Sequence, residues 1–104
     1  MSTFSFNGKL EMENLTDAII TDLIETTYAS VPAGSSWANY IPKTGWYKEG
    51  YQFLGILGWK GDIRFLVSQW TINSNDQMVV TILNASGTAI TNETLQMYGL
   101  YVKK

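Results

Sequence analysis

Four tryptophans (Trp37, Trp46, Trp59 and Trp70), the chain's one arginine (Arg64) and two carboxylates (Glu49 and Asp62) fall in the stretch from Trp37 to Trp70. Two chemistries use such a set. A pair of carboxylates across a glycosidic bond can hydrolyse it, one as general acid and the other as nucleophile or base. Aromatic faces beside Asp, Arg and Asn can instead hold a sugar without cutting it: C–H faces stack on the rings and the polar groups take the hydroxyls. The chain has no histidine and no cysteine. That removes the Ser-His and Cys-His nucleophiles, the imidazole general base and any thiolate metal site.

The hydrolytic option is the poorer one. Glu49 sits in Lys48-Glu49-Gly50 and Asp62 in Gly61-Asp62-Ile63, and surface turns account for both. No Gly-x-Ser-x-Gly elbow is present. Asn73-Ser74-Asn75-Asp76 has the composition of a calcium loop, but it lacks the ligand spacing and the closing Glu, and a solvated turn explains it. The sequence therefore offers no catalytic residue, no metal ligand set and no cofactor motif, and it reads as a non-enzyme.

The aromatics admit two uses. Nine of the fourteen lie between Trp37 and Trp70, and for any one of them the ordinary place is a core. Four tryptophans are hard to bury in so small a domain, so one or two should keep an exposed face. The candidates for ligand binding are Trp46, Tyr47, Trp59, Asp62, Arg64 and Trp70. A subunit interface would use the same residue types, and sequence does not separate the two uses.

The elements that must position these residues follow from length and pattern. A chain of 104 residues is one domain with a modest core. Charged residues make up only 15%, against roughly 25% for ordinary soluble domains. The net charge of −2 is uneven. Residues 1–33 carry Lys9 against Glu11, Glu13, Asp17, Asp22 and Glu25, whereas residues 34–104 carry a small basic excess. No dense basic patch exists to neutralise phosphates, so nucleic acid is not expected as a partner. No apolar run reaches the ~20 residues that span a bilayer, and the start, MSTFSFNGK, lacks the basic and apolar regions of a signal peptide.

Thr3–Phe6 and Lys9–Met12 read as a hairpin about Asn7-Gly8. Asn14 to Tyr28 is ambiguous. Leu15, Ala18, Ile19 and Leu23 follow helical spacing, while Ile20, Thr21, Ile24, Thr26 and Thr27 are β-branched; a short helix over 15–25 is the expectation. Residues 29–36, ASVPAGSS, form a loop dividing an N-terminal portion (1–33, strands with a helix or neck) from a β head (34–104). Trp37 to Trp46 suits irregular chain or an edge strand. Strands are expected at Tyr51–Trp59, Ile63–Ile72, Gln77–Leu83, Thr88–Thr91 and Leu95–Val102. Gly55 and Gly58 mark bulges or close backbone approach. Strict alternation puts Trp70 on one face with Arg64. Asn84-Ala85-Ser86 matches the N-glycosylation pattern but reads most simply as a turn. The fold class is mainly β, an antiparallel sandwich or barrel with one short N-terminal helix.

Thr44-Gly45-Trp46-Tyr47, the strand pair Tyr51–Leu57 and Asp62–Val67, and the closing Met97-Tyr98-Gly99-Leu100-Tyr101-Val102 resemble the C-terminal head domains of phage tail fibres and receptor-binding proteins, those of lactococcal phages among them. The resemblance covers about residues 44–104. It implies a homotrimer at the virion's tail tip, made in the host cytoplasm without a signal peptide, that binds host cell-wall saccharide. Residues of the types found at Trp46, Trp59, Asp62, Arg64 and Trp70 would do so near subunit boundaries. The alternative is a small protein-binding module, either a virion structural protein or an inhibitor used in host takeover.

Overall fold

The computed structural model describes residues 18–104. Six strands make up the fold: β1 (Ile19–Val31), β2 (Ser36–Ile41), β3 (Tyr51–Lys60), β4 (Phe65–Ile72), β5 (Met78–Asn84) and β6 (Ile90–Lys103), with a 3-10 turn at Lys43–Gly45 between β2 and β3. They pair as two three-stranded antiparallel sheets, in the order β1-β6-β3 and β2-β5-β4. The result is an antiparallel β-sandwich rather than a closed barrel.

The central strands explain why the sheets stack. In β5 every second side chain is buried: Met78, Val80, Ile82 and Asn84 face inward, as a period of two requires. Leu95, Met97 and Tyr101 of β6 and Ile24, Tyr28 and Val31 of β1 meet them from the other sheet. Each fully buried aliphatic side chain here contributes about 1.5–3 kcal/mol of transfer free energy. Tyr28 links the layers: its hydroxyl donates to the Val80 carbonyl at 2.8 Å and its ring lies 5.7 Å from Phe65. Burial pushes its phenol pKa up.

The expected helix over 15–25 is not seen. From Ile19 onward the chain is strand, in unbroken register with β6 from Ile19 opposite Val102 to Val31 opposite Ile90. The β-branched residues decided the outcome, because a long partner strand rewards them more than partial helical spacing does. Residues 15–17 and the Asn7-Gly8 hairpin lie outside the described residues. The two short strands expected after Asn84 are one, β6. Asn92, at φ 51°, switches the face inside it, so Ile90 points into the core and so, after the exposed pair Thr91-Asn92, does Leu95.

The turn after β5 is built around a buried amide. Asn84 is fully buried; its Nδ2 donates to the carbonyls of Val31 at 3.1 Å and Thr88 at 2.8 Å, and its Oδ1 accepts from the Ser86 amide and hydroxyl. The nitrogen that glycosylation would need is thus consumed inside the fold. Among the described residues no buried side-chain nitrogen or oxygen lacks a partner.

Candidate functional site

The two long seams of the sandwich are closed by edge strands, β1 over β2 on one side and β3 over β4 on the other. The β3/β4 seam opens into a cleft of about 370 Å³ lined by Ile56, Trp59, Val67, Ser68, Gln69 and Trp70. That is within the range of small-molecule sites. Its shape comes from irregular pairing. The register of β3 on β6 shifts between Phe53 and Gly55 and again between Ile56 and Gly58, and that of β4 on β5 shifts between Val67 and Gln69. Each bulge bends its strand and re-aims the next side chain.

The third shift corrects the face assignment of Trp70. Without a bulge, Trp70 would share a face with Arg64 and Leu66. With Ser68 as the extra residue, Trp70 comes opposite the buried Val80, on the inward side with Phe65 and Val67. Its indole packs edge-on against Phe53, with centroids 5.4 Å apart. Gly55, at φ 152°, leaves room for it: a Cβ there would sit 3.3 Å from Trp70 Cζ2. Trp70 is therefore held by its packing yet stays 36% exposed, and Trp59 across the seam is 41% exposed. Ile56 and Val67 form a half-buried apolar floor. The Ser68 hydroxyl donates to the Thr81 carbonyl at 3.2 Å, and Gln69 presents an exposed amide at the rim.

The other expected residues lie elsewhere. Asp62 and Arg64 make a bidentate pair: Nε to Oδ1 at 2.7 Å and Nη2 to Oδ2 at 2.6 Å, with the Arg64 amide on Oδ1 at 2.8 Å. Arg64 Nη1 also donates to the Ala89 carbonyl at 2.6 Å and to Thr88 Oγ1 at 3.2 Å. This pair clamps the β3–β4 turn to the β5–β6 turn. The guanidinium holds the Asp62 carboxyl down at about 2 and is itself stabilised in its charged form. Neither residue lines the cleft.

Trp46 is buried rather than exposed. Its Nε1 donates to the Asp76 carbonyl at 3.0 Å, its own carbonyl accepts from the Tyr101 hydroxyl, and its ring packs against Phe53. It fastens the 3-10 turn to the sheets. Tyr47, half-buried under the Lys43 ammonium at 4.5 Å, lines a second and smaller hollow farther along the β3/β4 seam, with Tyr51, Phe53 and Ile72.

Of the six candidates, Trp59 and Trp70 line the β3/β4 cleft, Asp62 and Arg64 pair at the β3–β4 turn, and Trp46 and Tyr47 lie at the second hollow. The cleft adds Ile56, Val67, Ser68 and Gln69, which pattern reading passed over. Gly55 and Gly58 were the signal for irregularity on β3; nothing in Val67-Ser68-Gln69 marks the bulge on β4. Among the described residues no cluster of acidic side chains could hold a metal ion, and no helix is long and apolar enough to cross a membrane. No family model, curated protein or solved structure matches the chain.

Proposed function

We propose that this domain is a non-catalytic saccharide-binding module and that the β3/β4 cleft takes the sugar. The observation that carries the reading is the placement of Trp59 and Trp70. They come from different sheets, line one cleft over the apolar floor of Ile56 and Val67, and are 41% and 36% exposed. A pyranose presents an apolar C–H face and a rim of hydroxyls. The indoles suit the first, and the Gln69 amide with the Ser68 hydroxyl suits the second. The chain's lack of histidine and cysteine favours binding over turnover, and both acid candidates lie away from the cleft: Asp62 is committed to Arg64 and Glu49 lies in an exposed turn.

The head-domain resemblance extends this to a phage receptor-binding protein at the virion's tail tip, with host cell-wall saccharide as its ligand. Titration of purified cell-wall polysaccharide from Gram-positive bacteria against intrinsic tryptophan fluorescence tests the reading. Saturable quenching that disappears in Trp59→Ala supports it; a folded domain with no response across a panel of such polysaccharides counts against it. The second reading, a protein-binding module, draws on a different observation, the exposed apolar outer face of the β1-β6-β3 sheet.

A further inference from the structure

An outer sheet face is ordinarily polar, but that of β1-β6-β3 is not. The ladder sets it out in rows. Leu23 lies opposite Tyr98, and Tyr98 opposite the Leu57-Gly58 bulge; Thr21 lies opposite Leu100, and Leu100 opposite the Leu54-Gly55 bulge. Ile19, Leu23, Leu54, Leu57 and Tyr98 are all exposed. Together they show on the order of 500 Å² of apolar surface, at the upper end of the largest patches on monomeric proteins. The next row is polar, with Glu25 on β1 opposite Gln96 on β6, and Gln96 opposite Lys60 on β3. Gln96 Nε2 donates to the Glu25 carboxylate, and Lys60 Nζ sits 6.0 Å from the Tyr98 ring centroid. One row thus carries a negative charge at one edge of the sheet and a positive charge at the other.

We infer that this face pairs with the same face of a second copy, about a two-fold axis running along β6. Rotation about that axis exchanges the β1 edge for the β3 edge and keeps every row at its height. Glu25 of each copy then lies over Lys60 of the other, so the contact forms twice. Tyr98 meets Tyr98, Leu100 meets Leu100, and Leu23 meets the Leu57 bulge. A two-fold axis across the strands would instead set the charged row against the Ile19–Gln52 row and leave both charges unmatched. The apolar core is smaller than the ~800 Å² per partner of a standard interface, so a weak, concentration-dependent dimer is expected. A two-fold contact of this kind closes at two copies, unlike the three-fold assembly that the head-domain resemblance implies. The face is separate from the β3/β4 cleft, so the pairing stands or falls independently of the saccharide.

Sedimentation velocity of the full chain over a concentration series tests the inference. The expected result is a monomer–dimer equilibrium that weakens with salt. Glu25→Lys or Lys60→Glu alone should raise the dissociation constant about tenfold, since the symmetry makes each change count twice. The double variant Glu25→Lys/Lys60→Glu should return it to within about threefold of the parent. Leu57→Lys should leave a monomer whose thermal transition matches that of the parent measured below its dimer dissociation constant. A monomer at every concentration overturns the inference. So does a trimer, or a dimer whose double reversal is no tighter than either single one.

Discussion

The two seams of the sandwich are built differently, and the difference separates structure from site. At the β1/β2 seam a polar side chain crosses between the sheets: Asn39 Nδ2 donates to Thr26 Oγ1 at 2.9 Å and to the Thr27 carbonyl at 2.8 Å. β2 pairs with β5 in regular register over its whole length. At the β3/β4 seam both edge strands are bulged, and the gap is flanked by tryptophans whose rings are only partly covered. The β1/β2 seam is thus regular and crosslinked, and its one tryptophan, Trp37 opposite Ile82, is 53% exposed without a facing second indole. The β3/β4 seam is irregular and brings two partly exposed tryptophans, Trp59 and Trp70, to one cleft.

Variants that remove support should act in proportion to what they unpair. The largest loss is expected for Asn84→Ala, which strips the β5–β6 turn of its buried amide: about 3 kcal/mol in urea unfolding. Trp70→Ala should cost about 2 kcal/mol, less than a fully buried tryptophan, because part of the ring is open to solvent. It should also weaken saccharide binding, since the ring serves both the core and the cleft. Asn39→Ala should cost about 1 kcal/mol and leave binding untouched, since it acts on the other seam. A binding defect in Asn39→Ala would break the distinction between the seams.

The smallest effect concerns the Asp62–Arg64 clamp. Its carboxyl titrates at about 2, against an ordinary 3.8. A lowered folded-state pKa adds stability that is fully present above the ordinary value and is lost as pH falls through the folded one. Thermal melts should therefore show the chain losing this increment between about pH 4 and pH 2. Asp62→Asn should flatten that part of the profile. An unchanged profile would mean that the clamp does not form in solution.

Much of the fold was legible in the sequence because burial imposes a period of two on β5 and turn chemistry brackets the strands. Tyr51–Trp59 was expected as a strand and β3 runs Tyr51–Lys60; the glycines at 55 and 58 were read as irregular positions, and the register shifts occur there. Local pattern predicts a helix over 15–25 because a few apolar residues fall at helical spacing, whereas the partner strand β6, which favours their β-branched neighbours, is distant in sequence. Half of the site was hidden for a local reason. A bulge at Ser68, unmarked by Gly or Pro, moves Trp70 across the sheet, so counting by twos put it beside Arg64. Trp46 was misplaced because exposure depends on where a chain returns: only the fold brings the Asp76 carbonyl and the Tyr101 hydroxyl against it.

Trp59 is the residue on which the functional reading can be tested most directly, because among the described residues no ring contact like that of Trp70 with Phe53 ties it to the core and it is 41% exposed. The decisive measurement is a calorimetric titration of Trp59→Ala beside the parent chain, with a cell-wall polysaccharide that the parent binds. The account predicts a loss of at least about tenfold in affinity, in a variant that still unfolds cooperatively at a cost of about 1–2 kcal/mol, comparable to that of Trp70→Ala. Equal affinity in a folded variant would contradict it and remove the β3/β4 cleft as the saccharide site.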